Sequence, residues 1–205
     1  MKGDIYSGNA CFLVNFEDDK EIKNNFISYL EDEGFRKTIS TYNTGHSHWL
    51  FINVNSMVFG GGYWKPVKLT RTIVGENPDN AFTIEEFKHI WSILKKYHDY
   101  DKVRKIDVSM VSCGNSSFLI YADNLKDNEK DFWNYLRINK FEPIDKSPNY
   151  WGYILVNVDS MLFTTRPNII SSYMGNLPDS ALDIKEFKVI WDIISKHKDT
   201  FWNNL

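Results

Sequence analysis

Two cysteines in 205 residues are too few for a disulfide framework. Cys11 and Cys113 form no CxxC pair and no metal-ligand spacing. The simple expectation is free thiols in a cytoplasmic protein. No run has the apolar length needed to span a bilayer, so no membrane segment is expected. The opening residues MKGD are followed by no apolar core of a signal peptide. Neither sign of charge dominates: 24 Lys and Arg stand against 27 Asp and Glu, a net charge of −3. That balance argues against a non-specific nucleic-acid binder, which carries net positive charge. The chain also lacks a P-loop, a GxGxxG fingerprint and a GxSxG elbow.

Aromatic residues are plentiful, at 16% with seven Trp, and 42% of the chain is hydrophobic. This is the composition of a globular protein with large cores or aromatic interfaces. Asn, Lys and Ile are abundant, as in proteins from AT-rich genomes.

The chain is organised by an internal repeat. Residues 52–59 read INVNSMVF and residues 156–163 read VNVDSMLF. Gly8-Asn9 recurs as Gly114-Asn115 between β-rich runs, a hairpin signal. Strands are expected at residues 4–7 and 11–16, and again at 106–112 and 117–122. Phe26, Tyr29 and Leu30 mark one face of a helix at residues 19–33. Phe132, Tyr135 and Leu136 mark its counterpart at residues 126–139. Gly34 is a natural helix stop. Lys140 takes its place in the second copy, so a different cap is expected there.

Further strands are expected at residues 48–54 and 153–158, turning at Asn55-Ser56 and Asp159-Ser160 into returning strands at 57–59 and 161–163. A continuous strand with Asn55 and Asp159 facing solvent is the competing reading. Strands at 68–74 and 168–173 follow. Thr83 with Glu86, and Asp183 with Glu186, each fit a capping box that opens a final helix. Phe87, Ile90, Trp91 and Leu94 share one face of the first, and Phe187, Ile190, Trp191 and Ile194 of the second.

The expected fold class is therefore α+β: a tandem duplication of a β-β-α-β-β-β-α module of about 100 residues, a common domain size. The sheets are expected to be mostly antiparallel. The copies span residues 1–100 and 101–205, and a pseudo-two-fold arrangement is expected, as in a fused homodimer.

The copies are not equivalent everywhere. The repeat offset is 106 at the first helix, 104 at the central strand and 100 at the last helix. The first copy thus gains two residues within 40–48 and four within 60–66. Features shared by both copies are explained by fold, and loops that differ are where a specific function sits. The second insertion holds Gly60, Gly61, Gly62, Tyr63, Trp64 and Lys65, with Lys68 and Arg71 beyond. Glycines allow close backbone approach, the two aromatics offer stacking surface, and the basic residues attract anions. A hairpin loop with a hydrophobic anchor is the plainer explanation. The second copy keeps only Arg166 in its shorter loop, Thr164-Thr165-Arg166-Pro167.

Other chemistry has thinner support. His46-Ser47-His48 sets two imidazoles on one side, but no third ligand is marked. His89, His98 and His197 read as solvated positions on or after helices. Pro178-Asp179 with Asp183-Ile184-Lys185 superficially resembles the PD-(D/E)xK pattern of metal-dependent nucleases. The resemblance fails because the spacing is short and Asp183 is already a helix cap. No nucleophile–base set appears, so no catalytic residue, metal or cofactor is assigned.

The expected function is that of a non-catalytic binding or inhibitor-type protein with a protein partner. Small acidic duplicated chains of this composition suit phage-encoded inhibitors of host or defence proteins, by analogy alone. The alternative is a sponge or sensor for a small anionic, nucleotide-like ligand. A metal-dependent hydrolase is the second alternative.

Overall fold

The computed structural model describes residues 11–16, 19–37, 49–54, 57–60, 81–97, 117–122, 126–146, 152–158, 160–167 and 181–197. The described residues form two compact units. The first draws on Asn9–Gly114 and Ile193–Leu205, and the second on Asn115–Asp192. Together they hold four α-helices and two mixed sheets, an α+β arrangement.

In the first unit β1 (Cys11–Asn15) pairs antiparallel with β3 (Trp49–Asn53), which pairs antiparallel with β4 (Val58–Gly60). A short β2 (Arg36–Lys37) runs parallel to β4 on its far side. Between β1 and β2 lies α1 (Lys20–Asp32), and α2 (Ile84–Leu94) closes the unit. In the second unit β5 (Ser117–Tyr121), β7 (Tyr153–Asn157) and β8 (Leu162–Thr164) repeat the antiparallel centre. There β6 (Glu142–Pro143) flanks β8 in parallel, and β9 (Leu182–Asp183) flanks β5 in parallel. The helices are α3 (Lys126–Ile138) and α4 (Ile184–Lys196), the latter grouped with this unit as far as Asp192.

The antiparallel centres match expectation, and the parallel flanks extend it. A two-residue strand carries no alternation to read, so β2, β6 and β9 leave no periodic trace. In the first unit the counterpart of β9 is a single parallel bridge from Val14 to Phe82. Asn15 N–H donates to the Phe82 carbonyl at 2.9 Å, and Phe82 N–H to the Leu13 carbonyl at 2.9 Å.

The turn after β3 is a hairpin, which decides against a continuous strand: Phe51 lies opposite Gly60 and Asn53 opposite Val58. The same holds after β7, where Leu155 faces Thr164 and Asn157 faces Leu162. Each hairpin closes through a methionine at positive φ, Met57 at 52° and Met161 at 54°. In the second unit Asn157 carries the turn. Its Oδ1 accepts from the Ser160 N–H and the Ser160 hydroxyl, each at 2.9 Å. Its Nδ2 donates to Ser117 Oγ at 3.0 Å. The expected strands at 4–7, 68–74, 106–112 and 168–173 lie outside the described residues, as do the Gly-Asn turns.

Helix ends follow local chemistry. Asp19 caps α1, accepting from Glu21 and Ile22 N–H groups at 2.8 and 3.0 Å. Gly34 at φ 89° ends it, with Phe35 N–H returning to the Leu30 carbonyl and Gly34 N–H to that of Glu31, each at 2.9 Å. This is a Schellman stop. The expectation that Lys140 forces a different cap is wrong. Lys140 itself adopts φ 64°, and Phe141 and Lys140 N–H groups return to Leu136 and Arg137 at 3.0 Å. Two carbonyls satisfied at the helix end outweigh a left-handed penalty of about 1–2 kcal/mol.

Each core is an aromatic seam between the helix pair and one sheet face. Phe87 of α2 meets Phe26 of α1 edge-on at 5.8 Å and Phe12 of β1 at 5.9 Å. Phe187 of α4 meets Phe132 of α3 at 5.7 Å and Phe118 of β5 at 6.1 Å. Such edge-to-face pairs contribute about 0.5–1.5 kcal/mol beyond burial. The other face of the second sheet is also covered: Leu119, Leu155 and Leu162 are buried there beside Ile144, Tyr153 and Ala181. Burial on both faces explains why these strands read as continuous apolar runs rather than alternating ones.

Candidate functional site

Of the nine residues singled out as a candidate binding surface, two are described. Gly60 is the last residue of β4 and is buried. Arg166 lies two residues beyond β8, after the equivalent hairpin. Gly61, Gly62, Tyr63, Trp64, Lys65, Lys68 and Arg71 lie outside the described residues. So do His46 and His48. Gly60 and Arg166 belong to different units.

Arg166 does not stand alone. Its Nε is 2.6 Å from Oδ1 of Asp145, a carboxylate with only 4% of its side chain exposed, while Arg166 is 48% exposed. The second oxygen of Asp145 accepts from Thr165 N–H at 2.7 Å and from the hydroxyls of Thr164 and Thr165 at 2.9 and 3.3 Å. The Thr164 hydroxyl in turn accepts from Arg166 N–H at 3.1 Å. This pairing offsets the hydration that a buried carboxyl group loses. The cluster holds the loop after β8 in one shape, and it anchors a guanidinium that is half in solvent. Asp145 was not singled out in the sequence. The only sequence signal is an acidic residue between Ile144 and Lys146 shortly before Ser147-Pro148, a pattern many turns share.

A second buried carboxylate is Glu129 on α3, whose Oε2 accepts from Gly152 N–H at 3.4 Å. It holds the approach to β7, where Gly152 takes φ 93° and so favours glycine. The matching position on α1 is Lys23, whose ammonium lies 5.3 Å from the Phe16 ring centroid. The same helix position therefore serves opposite charges in the two units.

Further polar contacts repeat across the units. The Trp91 indole donates to Glu33 Oε2 at 2.8 Å, and the Trp191 indole to Asn139 Oδ1 at 3.0 Å. Lys88 lies over the Tyr29 ring at 5.2 Å and Lys188 over the Tyr135 ring at 4.6 Å. Burial, with Glu33 and Glu85 nearby, pushes the Tyr29 phenol up to about 12. Burial, with Asp192 nearby, pushes Tyr135 up to about 12 as well. A shift of this kind at both matching positions comes with the helix packing and marks no special chemistry at either.

The two capping boxes form as read. Glu86 N–H donates to Thr83 Oγ1 at 3.2 Å, and Thr83 N–H to Glu86 Oε2 at 3.0 Å. Glu186 N–H donates to Asp183 Oδ1 at 2.7 Å, and Asp183 N–H to Glu186 Oε2 at 3.3 Å. Asp183 is thus occupied as a cap. His197 departs from the expectation of a solvated residue: its ring lies against Phe82 and its Nε2 is 3.0 Å from Glu86 Oε2. Phe82, held by the bridge to Val14, supplies the apolar surface that draws the imidazole in.

Among the described residues no three His, Cys, Asp or Glu side chains converge as a metal site. No helix among them is long and apolar enough to cross a membrane. Compared with family models, curated proteins and solved structures, the chain matches none.

Proposed function

We propose that this chain is a non-catalytic binding protein, descended from a duplicated α+β module, that engages another macromolecule. The contact surface is the stretch of sequence following the first central hairpin: Gly60, Gly61, Gly62, Tyr63, Trp64, Lys65, Lys68 and Arg71. Arg166, after the second hairpin, is its reduced counterpart. The observation that supports this reading is where the hairpins end. β4 and β8 leave the sheet at matching positions, Gly60 and Thr164. Up to that point the two cores use the same aromatic contacts, and beyond it the sequences differ in length and charge. In the second unit the exit loop is tied down by Asp145 and still presents a half-exposed guanidinium. Tyr, Trp and Arg are the residue types that carry binding energy at protein interfaces.

The finer reading is an inhibitor that acts in the cytoplasm of a host cell, in the manner of phage-encoded proteins directed at host or defence machinery. Its test is native mass spectrometry of the protein purified gently from its own cells. A co-purifying protein mass, lost when residues 60–66 are replaced by the short loop sequence Thr-Thr-Arg-Pro, is the expected result. A co-purifying small anion lost on Arg166→Ala instead favours a nucleotide-like ligand held by the anchored guanidinium. An apo mass throughout contradicts both.

A further inference from the structure

His197 follows α4 and is grouped with the first unit, as Phe82, Thr83 and Glu86 are. The His197 and Phe82 ring centroids are 4.3 Å apart. The His197 and Glu86 side chains are 14% and 25% exposed, so their 3.0 Å contact is shielded from most of the solvent. Glu86 Oε2 also accepts from Thr83 N–H at 3.0 Å and from the Thr83 hydroxyl at 3.2 Å. One carboxylate oxygen therefore closes the capping box of α2 and holds the imidazole that follows α4. The repeat places Tyr97 where a counterpart of His197 would stand, so the second copy's histidine is not a shared feature of the modules.

We propose that Glu86 and His197 form a charge-dependent latch, which fastens residues 193–197 onto the start of α2 and which acid opens. Protonation of Glu86 removes the charge on which three donors converge, so cap and latch weaken together. Burial pushes the Glu86 carboxyl up, but the Thr83 hydrogen bonds and the His197 charge outweigh it and hold the carboxyl below its ordinary value. A carboxyl lowered in the folded state contributes stability above the ordinary carboxylate range. That contribution is lost as pH falls through the lowered value. Among the described residues, the charged groups beside these two in sequence are Glu85 and Lys88 on α2, paired with each other at 3.1 Å, and the exposed Lys196 at the end of α4.

The test is hydrogen exchange on the full chain, with circular dichroism as the control for folding. At neutral pH the amides of residues 83–86 and 193–197 should exchange about tenfold faster in His197→Gln than in the natural chain, the scale of one lost hydrogen bond to a charged group. Glu86→Gln should be at least as fast, because it also weakens the cap, and the double variant should exchange no faster than Glu86→Gln alone. On acidification, protection of residues 193–197 should fall in the natural chain beyond the intrinsic change in rate, and Glu86→Gln should lack this step. Unchanged protection in His197→Gln, additive effects in the double variant, or an acid step surviving in Glu86→Gln would each overturn the latch. If His197→Gln does not fold, the acid comparison between the natural chain and Glu86→Gln decides alone.

Discussion

Lys140 shows how far one backbone angle can override residue type. At φ 64° it holds the same left-handed position as Gly34 at φ 89°, and both helices end with the same pair of returning hydrogen bonds. The strain belongs to the lysine Cβ and not to its surroundings. Lys140→Gly is therefore expected to raise stability by about 0.5–1 kcal/mol in urea unfolding, part of the left-handed penalty being offset by glycine's greater freedom when unfolded. Gly34→Ala is expected to lower it by about 1 kcal/mol. A Cβ at Gly34 meets Met57 Cε at an ordinary 3.7 Å, so that loss comes from the backbone and not from a clash. The tyrosines give a pH prediction. Tyr29 and Tyr135 titrate at about 12 when folded, against 10.0 for a free phenol. Between these values the unfolded chain holds fewer protons, so stability falls as pH rises through that window. Ultraviolet absorbance should show two late-titrating phenols in the folded protein. If both ionise with the rest, their burial between Lys, Glu and Asp neighbours is misjudged.

At the scale of elements, the indole contacts join the end of one helix to the side of another. Glu33 and Asn139 are the residues just past α1 and α3, and each accepts from a tryptophan on α2 or α4. Phe35 and Phe141 close the other side of those indoles edge-on, at 4.8 and 4.6 Å. Trp191→Ala should cost about 3–5 kcal/mol, as expected for emptying a buried aromatic site. Asn139→Ala should cost about 1–3 kcal/mol, because a partly buried N–H is left without its acceptor. Denaturant midpoints for the two variants test the order; an Asn139 effect as large as that of Trp191 would mean that the helix stop itself had failed. Position 33 carries an additional partner, Lys95 at 3.2 Å. That pair is exposed enough to add little.

For the whole molecule, the elements legible in sequence were those with repeated periodic faces. The helix faces at Phe26 and Phe132, the capping boxes at Thr83 and Asp183 and the hairpins after Asn53 and Asn157 all carry a local pattern. What escaped depends on distant partners. β9 and the Phe82 bridge exist because a passing backbone meets β5 or β1, and two residues carry no period. Asp145 is defined by Thr164 and Thr165, some twenty residues later. His197 is drawn in by Phe82 and Glu86, more than a hundred residues earlier. The candidate surface was legible only as a break in the repeat, since an insertion shows where a loop is but not what it touches.

The central claim is that this break, after Gly60, is where the protein meets its partner. The most direct measurement is native mass spectrometry of two chains purified side by side from the same cells: the natural one, and one with residues 60–66 replaced by Thr-Thr-Arg-Pro. Both should melt cooperatively, because the replacement follows a loop the second unit already uses. The account predicts a partner mass on the natural chain and none on the replaced one. A partner retained equally by both, or an apo mass for both, would contradict it.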